Sequence, residues 1–388
     1  MKIAFVTTYD AQNVKNWSGT PFYMSKAFMD EGAKVEFIGN LEECPDYFSF
    51  KLKNRFYNKI LKRKLGTYYR FYEPRNLKYF SQQVERRLEK MDVDIIFSPG
   101  AIPIAYLDTD KPIVMWSDAT FAAMLGYYSE YSDFSSLTKR NCNLYEENLF
   151  KRARLSCFSS EWAADSAIQY YKADPNKIKV LPYGANFDCD RATDDIMKMN
   201  SKKSRDVCEL LFIGKDWERK GADTAIKITE VLNELGLKST LHLVGINDIP
   251  LPVLPGFVVN HGFLNKNSAE DRKKIENLFE QSHFFVLPTK ADCTPIVFSE
   301  ANSFGLPVIT RNTGGVPSII TNDVNGKMLA KDLDIKTCAE YIKDVFKDFD
   351  RYARLSLSSF NEYKARLNWK VSVSKMISYM ENILSNAK

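Results

Sequence analysis

The chain has 388 residues, of which 45% are hydrophobic and 27% charged, and it carries a net charge of +5. That length predicts two domains, each large enough for its own core, and the composition excludes a mainly disordered chain. No apolar run approaches the ~18 residues of a spanning helix. The opening Met1–Val6 is too short an apolar run for a secretory leader and reads as a first strand. Seven scattered cysteines (44, 142, 157, 189, 208, 293 and 338), with no CxxC pair, predict reduced thiols and a cytoplasmic protein. The three histidines (242, 261 and 283) lack metal-ligand spacing. Neither a metal nor a resident cofactor is expected.

In chain order, Lys2–Thr8 reads as a buried strand feeding a loop with Trp17-Ser18-Gly19-Thr20-Pro21. A helix follows over Phe22–Gly32, with Thr20 able to cap it, Pro21 suited to its first turn and Gly32 as its stop. Val35–Gly39 is the next strand. Further strand-like runs are Asp94–Ser98, Pro112–Trp116, Leu155–Phe158 and Ile178–Leu181, with helices near 137–152 and 160–172. Asp188–Asp206 is polar and poor in large apolar groups, and reads as the end of the first domain. A second series then begins: strands at Glu209–Gly214, Thr240–Gly245, His283–Pro288 and Pro307–Thr310, and helices near 221–235, 268–281, 297–304, 335–347, 351–366 and 370–385. Such alternation predicts two doubly wound α/β domains, 1–188 (completed by 367–388) and 189–366, with ligands at the carboxyl ends of the strands and in the cleft between domains.

The positive charge is local. Phe50–Lys90 holds thirteen Lys/Arg against three Glu, a balance of +10, so the rest of the chain sums to −5. Aromatic residues are interleaved among the bases. No nucleic-acid motif accompanies them. An anionic lipid surface, a docking face for an anionic or lipid-linked acceptor, and a merely solvated face all remain open.

The richest stretch is Pro288–Pro307, a strand end, a loop and a helix start. Asp292 lies in the loop and Glu300 eight residues on, so two carboxylates can grip two parts of one polyhydroxylated ligand. Each alone also fits a blander role, a solvated loop acid for Asp292 and a helix-dipole partner for Glu300. Backbone N–H groups around 293–297 suit a phosphate. A second strand-to-helix loop, Phe212-Ile213-Gly214-Lys215-Asp216-Trp217-Glu218-Arg219-Lys220-Gly221, carries Lys215, Arg219 and Lys220. Fixed cations there would stabilise a departing anion, or simply mark an exposed helix start.

These stretches resemble the family-4 retaining glycosyltransferases, of the glycosyl transferases group 1. Pro288–Pro307 resembles their E-x7-E region, with Asp292 for the first Glu. Phe212–Gly221 resembles their phosphate-binding loop, one residue shorter and with Lys215 for the usual Arg. Leu181–Asn186, Asn312–Pro317 and Asn325–Lys327 match further family segments, all in order. The resemblance is strong over 180–330 and weaker before. It implies the GT-B fold, with a last helix crossing back to the first domain, a nucleotide-sugar cosubstrate, a glycan or lipid-linked acceptor, and no nucleic acid or required metal.

It also implies roles. Lys220, with Lys215 or Arg219, would neutralise the diphosphate. Glu300 would accept from the ribose hydroxyls and Asp292 from the donor sugar. Thr294, Ile296 and Val297, around Pro295, would face sugar and phosphate. Gly214 would line the phosphate loop, and Gly262, Phe263 and Leu264 would border the base. Gly19 and Thr20 match the glycine loop that approaches the diphosphate, or form a plain helix-entry turn. Asp118 stands where many relatives carry His. It could orient the acceptor, take a proton or cap the next helix. The implied activity is sugar transfer in polysaccharide or glycoconjugate synthesis. A GT-B phosphorylase or epimerase, and a binding module built on the basic segment, are the other readings.

Overall fold

The computed structural model describes residues 1–45, 48–62, 66–330 and 334–386. Two compact units divide the chain, Met1–Pro182 with Ser372–Lys388, and Tyr183–Val371. Each contains one six-stranded sheet in which every pairing is parallel.

In the first unit the order is β2-β1-β3-β4-β5-β6, over β1 (Lys2–Val6), β2 (Lys34–Ile38), β3 (Ile95–Ser98), β4 (Ile113–Ser117), β5 (Leu155–Phe158) and β6 (Ile178–Val180). The inner strands are nearly all apolar because helices cover both faces. The helices are α1 (Thr20–Asp30), α2 (Phe48–Arg55), α3 (Pro74–Leu88), α4 (Phe121–Met124), α5 (Ser136–Arg152) and α6 (Glu161–Gln169). The order reverses between β1 and β3, so the loops after these strands form a switch point.

Thr20 does not cap α1. The helix begins at Thr20 itself, after a turn in which Trp17, Ser18 and Gly19 all have positive φ (43°, 54° and 85°). Three left-handed residues in succession turn the chain sharply into the helix, which leaves Thr20 buried in its first turn.

The basic segment is largely structured. It includes α2, a π-helical turn over Phe56–Leu61 and α3. Several of its cations are tied into the fold. Lys53 pairs with Glu73 at 2.6 Å. Arg70 and Arg75 lie over the Phe50 ring, at 5.7 and 5.6 Å, and Arg87 donates to the Gly39 carbonyl at 2.6 Å. Lys51, Arg55, Lys59 and Lys62 remain exposed. Arg63 and Lys64 lie outside the described residues.

In the second unit the order β12-β11-β10-β7-β8-β9 is the dinucleotide-fold order 3-2-1-4-5-6 read backwards. Its strands are β7 (Cys208–Ile213), β8 (Ser239–Val244), β9 (Val258–Asn260), β10 (Phe284–Leu287), β11 (Val308–Arg311) and β12 (Gly326–Leu329). Its helices are α7 (Thr193–Lys202), a single turn α8 (Trp217–Lys220), α9 (Ala222–Glu234), α10 (Ala269–Gln281), α11 (Ile296–Ser303), α12 (Ile335–Lys347) and α13 (Phe349–Arg366). The last helix, α14 (Trp369–Ser385), starts in this unit and from Ser372 belongs to the first.

The polar stretch 188–206 is not a bare linker. It holds α7, whose Ile196 is fully buried and whose Asn200 bonds Ser356 on α13 at 2.9 Å. The second unit begins at Tyr183, before that stretch, because Phe187 joins its core and Tyr183 stacks near Trp369 at 5.4 Å. Gly184 is needed there, since a Cβ would lie 2.2 Å from the Trp369 amide nitrogen.

Candidate active site

The order of the second sheet reverses between β7 and β10, and ligands of open α/β sheets bind outside the carboxyl ends at such a point. The loop after β7 carries Gly214, Lys215, Arg219 and Lys220. The loop after β10 carries Asp292, Thr294 and Pro295, and leads into α11 with Ile296, Val297 and Glu300. The topology therefore brings together, from two segments over seventy residues apart, the groups singled out in this half of the chain.

Several contacts hold these loops against each other. Asp216 caps α8, accepting from the Arg219 N–H at 2.9 Å, and also takes Nε of Arg219 at 3.2 Å. Nη1 of Arg219 donates to the Ala291 carbonyl at 3.0 Å, and the Lys290 N–H donates to the Arg219 carbonyl at 2.7 Å. Arg219 thus ties one loop to the other. Gly221 ends α8 with φ +77°, and a Cβ there would lie 2.5 Å from the Pro288 carbonyl oxygen. Only glycine lets the two backbones come this close. The turn Thr313-Gly314-Gly315 braces the far side: Gly315 N–H donates to the Asp292 carbonyl at 3.0 Å and Thr313 Oγ1 to that of Lys290 at 3.2 Å.

Within this frame the charges are paired. Nζ of Lys220 contacts a carboxylate oxygen of Asp292, and both side chains are mostly buried. Nζ of Lys266, a residue the motifs do not include, lies 2.5 Å from both carboxylate oxygens of Glu300. Glu300 sits in α11 with its side chain 2% exposed. No periodicity or motif selects Lys266; only the fold of the loop after β9 brings it there.

Lys215 is exposed, with its ammonium 5.0 Å from the Phe263 ring centroid. Phe263 is itself 49% exposed, whereas Leu264 packs partly on the core. Gly262 has φ +64° and its carbonyl accepts from Gly245 N–H at 2.8 Å. Gly214 lies against the Lys220 stem, 3.1 Å from where a Cβ would stand to Cγ. Pro295 precedes α11 without a side-chain cap; its carbonyl accepts from Phe298 N–H at 2.9 Å, and the N–H groups of Ile296 and Val297 open the helix, where no intrahelical carbonyl is available to them. Fixed cations, first-turn amides and two carboxylates at one switch point suit a polyhydroxylated diphosphate.

His261 belongs to a different chain of groups. Its Nε2 meets Nδ1 of His242 at 3.0 Å, and Nε2 of His242 meets Glu209 at 3.1 Å. Burial, and then the neighbouring His242, hold His261 below the usual imidazole range.

The remaining candidates belong to the first unit. Gly19 and Thr20 follow β1. Asp118 follows β4 and does not cap α4, since Thr120 does so by accepting from Ala123 N–H at 3.1 Å. The phenol of Tyr9 is pushed well above its usual range by burial and, secondarily, by the charge of Asp118. The backbone just beyond Asp118 is fixed by Glu146, whose carboxylate oxygens accept from Phe121 N–H at 2.9 and 3.0 Å.

A family model for glycosyl transferases group 1 matches residues 195–359. That match covers less than half of the chain. Among curated relatives, a protein of the Klebsiella pneumoniae cps region is 24% identical over 157 residues, 40% of this chain and 42% of that one. An Escherichia coli UDP-Gal:α-D-GlcNAc-diphosphoundecaprenol α-1,3-galactosyltransferase is 28% identical over 45% of this chain and 47% of its own. The chain spans about half the length of the curated relatives it matches. Among solved structures, a sucrose-phosphate synthase of Thermosynechococcus elongatus superposes with a TM-score of 0.69 over 100% of both chains at 14% identity. Anabaena HepE in complex with UDP-glucose superposes at 0.61, over 98% of this chain and 100% of that one, at 16% identity. The fold is the α/β two-domain GT-B fold of these glycosyltransferases.

Proposed function

We propose that this chain is a retaining, metal-independent glycosyltransferase that moves a sugar from a nucleotide-sugar donor to a glycan or lipid-linked hydroxyl. The observation that carries this reading is the meeting of Lys220, Lys215, the first turn of α11, Asp292 and Glu300 at one switch point. The relatives add support, since one is named for galactosyl transfer to a diphosphoundecaprenol-linked sugar and one structure holds UDP-glucose.

In this mechanism the diphosphate lies against Lys215, Lys220 and the first-turn amides of α11. As the bond from sugar carbon to phosphate oxygen breaks, negative charge grows on the phosphate, and these groups stabilise it where it develops. That is the charge work a metal would otherwise do. Glu300 accepts from the ribose and Asp292 from the sugar, which orients the donor. The acceptor hydroxyl attacks the face that the leaving group quits and passes its proton to the departing phosphate oxygen, which retains the anomeric configuration. Asp118 is the first-unit candidate for orienting that hydroxyl.

The acceptor is read as membrane-borne, with the protein resting on the cytoplasmic face. Among the described residues no helix is long and apolar enough to cross a membrane. However, Phe48, Leu52 and Phe56 are 78%, 58% and 49% exposed, and they recur every four residues along α2 and the turn after it. Lys51, Arg55 and Lys59 run beside them. Such a row suits the interface of an anionic leaflet.

The test is a thermal-shift screen of UDP-, GDP- and ADP-sugars, followed by transfer assays in EDTA with the donor that binds. A ligand held only by the native state raises the melting point. Donor-dependent stabilisation, transfer without added metal and a retained anomer by NMR are expected. An inverted anomer would remove the retaining mechanism, and no response to any donor would remove the whole reading.

A further inference from the structure

Glu300 is an acid with almost no access to water, and its charge is met by one nitrogen. Lys266 Nζ stands 2.5 Å from each of its oxygens, and the Lys266 side chain is 38% exposed against 2% for Glu300. A buried carboxylate needs a counter-charge and filled hydrogen-bond sites. A carboxylate has about four acceptor sites, two on each oxygen. Lys266 fills one on each, which leaves a second on each for a pair of neighbouring hydroxyls.

The reach of Lys266 is fixed by its surroundings. Its ammonium lies 5.2 Å from the Phe187 ring centroid. Arg272 lies at 5.2 Å from the same ring and donates to Asp188 at 3.0 Å. Phe187 is buried in the core of the second unit. The lysine thus lies beside the Phe187 ring and reaches both oxygens of Glu300.

We propose that Lys266 is a positioning residue for the donor: it supplies the counter-charge of Glu300 and turns its two remaining acceptor sites toward the 2′ and 3′ hydroxyls of a ribose. The proposal rests on the reading of Glu300 as the ribose acceptor. It assigns the pair as a discriminator for a ribonucleotide donor over one lacking the diol.

Isothermal titration calorimetry on the full chain tests it, with UDP, GDP and ADP, and with the 2′,3′-dideoxy form of whichever binds. Wild type prefers the ribose form. Lys266→Met weakens binding of the ribose form by about 10- to 100-fold, the range of a charged hydrogen bond, and leaves the dideoxy form within about 2-fold. Lys266→Arg restores most of the loss. Against a Glu300→Gln background, Lys266→Met adds nothing to the loss of the ribose form, because the carboxylate it orients is gone. This double variant lacks both charges and carries the comparison even where Lys266→Met alone is poorly folded. Equal weakening of both nucleotide forms, or a further loss in the double variant, overturns the role of Lys266. Wild type and Glu300→Gln binding both forms alike overturns the reading of Glu300 itself, and the proposal with it.

Discussion

Lys220 and Asp292 lie 72 positions apart in the chain and form an ion pair at the switch point of the second sheet. In the mechanism proposed above, one of them faces the diphosphate and the other the donor sugar. Their pairing means that each holds the other in place before a donor arrives. It also means that an incoming phosphate competes with Asp292 for the same ammonium, so the donor must supply a stronger partner than a carboxylate.

The two ends of this site should fail differently. Lys220 meets charge that grows as the donor bond breaks, so Lys220→Ala should lower kcat by about 10²-fold or more. Glu300 holds a part of the donor that does not react. Glu300→Gln should mainly raise donor KM, by an amount equivalent to about 1.5–3 kcal/mol. Steady-state kinetics on variants shown to be folded separates the two. Full turnover by Lys220→Ala would remove the phosphate-site assignment.

Gly221 should tolerate no side chain. Its φ of +77° costs an L-residue about 1–2 kcal/mol. A Cβ would also press on backbone, 2.5 Å from the Pro288 carbonyl oxygen. Gly221→Ala should therefore destabilise the second unit by more than about 1 kcal/mol and displace Lys220, lowering kcat as well. Gly236→Ala is the control: φ is +78° there too, but nothing stands within 4 Å of the added carbon. Equal stability losses in urea titrations would show that the close approach to Pro288 is immaterial.

Binding to vesicles should need both the bases and the exposed row. Each basic residue near an anionic surface contributes about 1 kcal/mol, screened by salt. Replacing Lys51, Lys59 and Lys62 by Ser should weaken co-sedimentation with phosphatidylserine vesicles and remove its salt dependence. Replacing Phe48, Leu52 and Phe56 by Ser should weaken it at every salt concentration. Neither set should change nucleotide affinity. Equal binding to neutral and anionic vesicles would exclude the electrostatic part.

Glu146 gives stability a pH dependence of defined sign. Burial pushes its carboxyl up to about 7 from the usual 4.5, partly offset by hydrogen bonds from the Phe121 N–H and the Tyr171 hydroxyl. Between these values the folded protein keeps a proton that the unfolded chain has lost. The contribution is therefore complete below pH 4.5 and is lost as pH rises through 7. In calorimetry, the Tm of wild type should fall relative to that of Glu146→Gln across this window. A constant difference would show that Glu146 stays ionised in the fold.

The alternation of apolar runs with helical stretches determined two doubly wound sheets. A buried parallel strand must be apolar on both faces, and that leaves a mark in the chain. Lys220, Asp292 and Glu300 stand out in the sequence because each lies in the loop after such a strand or in the helix that loop enters. Short edge strands left a weaker mark: β9 has three residues, and Val259 among them is 41% exposed. The stretch 188–206 reads as the end of the first domain, yet it holds α7 in the second unit, because that helix buries only a narrow face with Ile196 and Asn200 inward. The basic segment reads as one patch, yet only the fold decides that Lys53, Arg70, Arg75 and Arg87 serve internal contacts. The pairs Lys220–Asp292 and Lys266–Glu300 belong wholly to the tertiary structure. Counter-ions need a few ångströms of proximity, and strand order, not distance along the chain, sets which loops come that close.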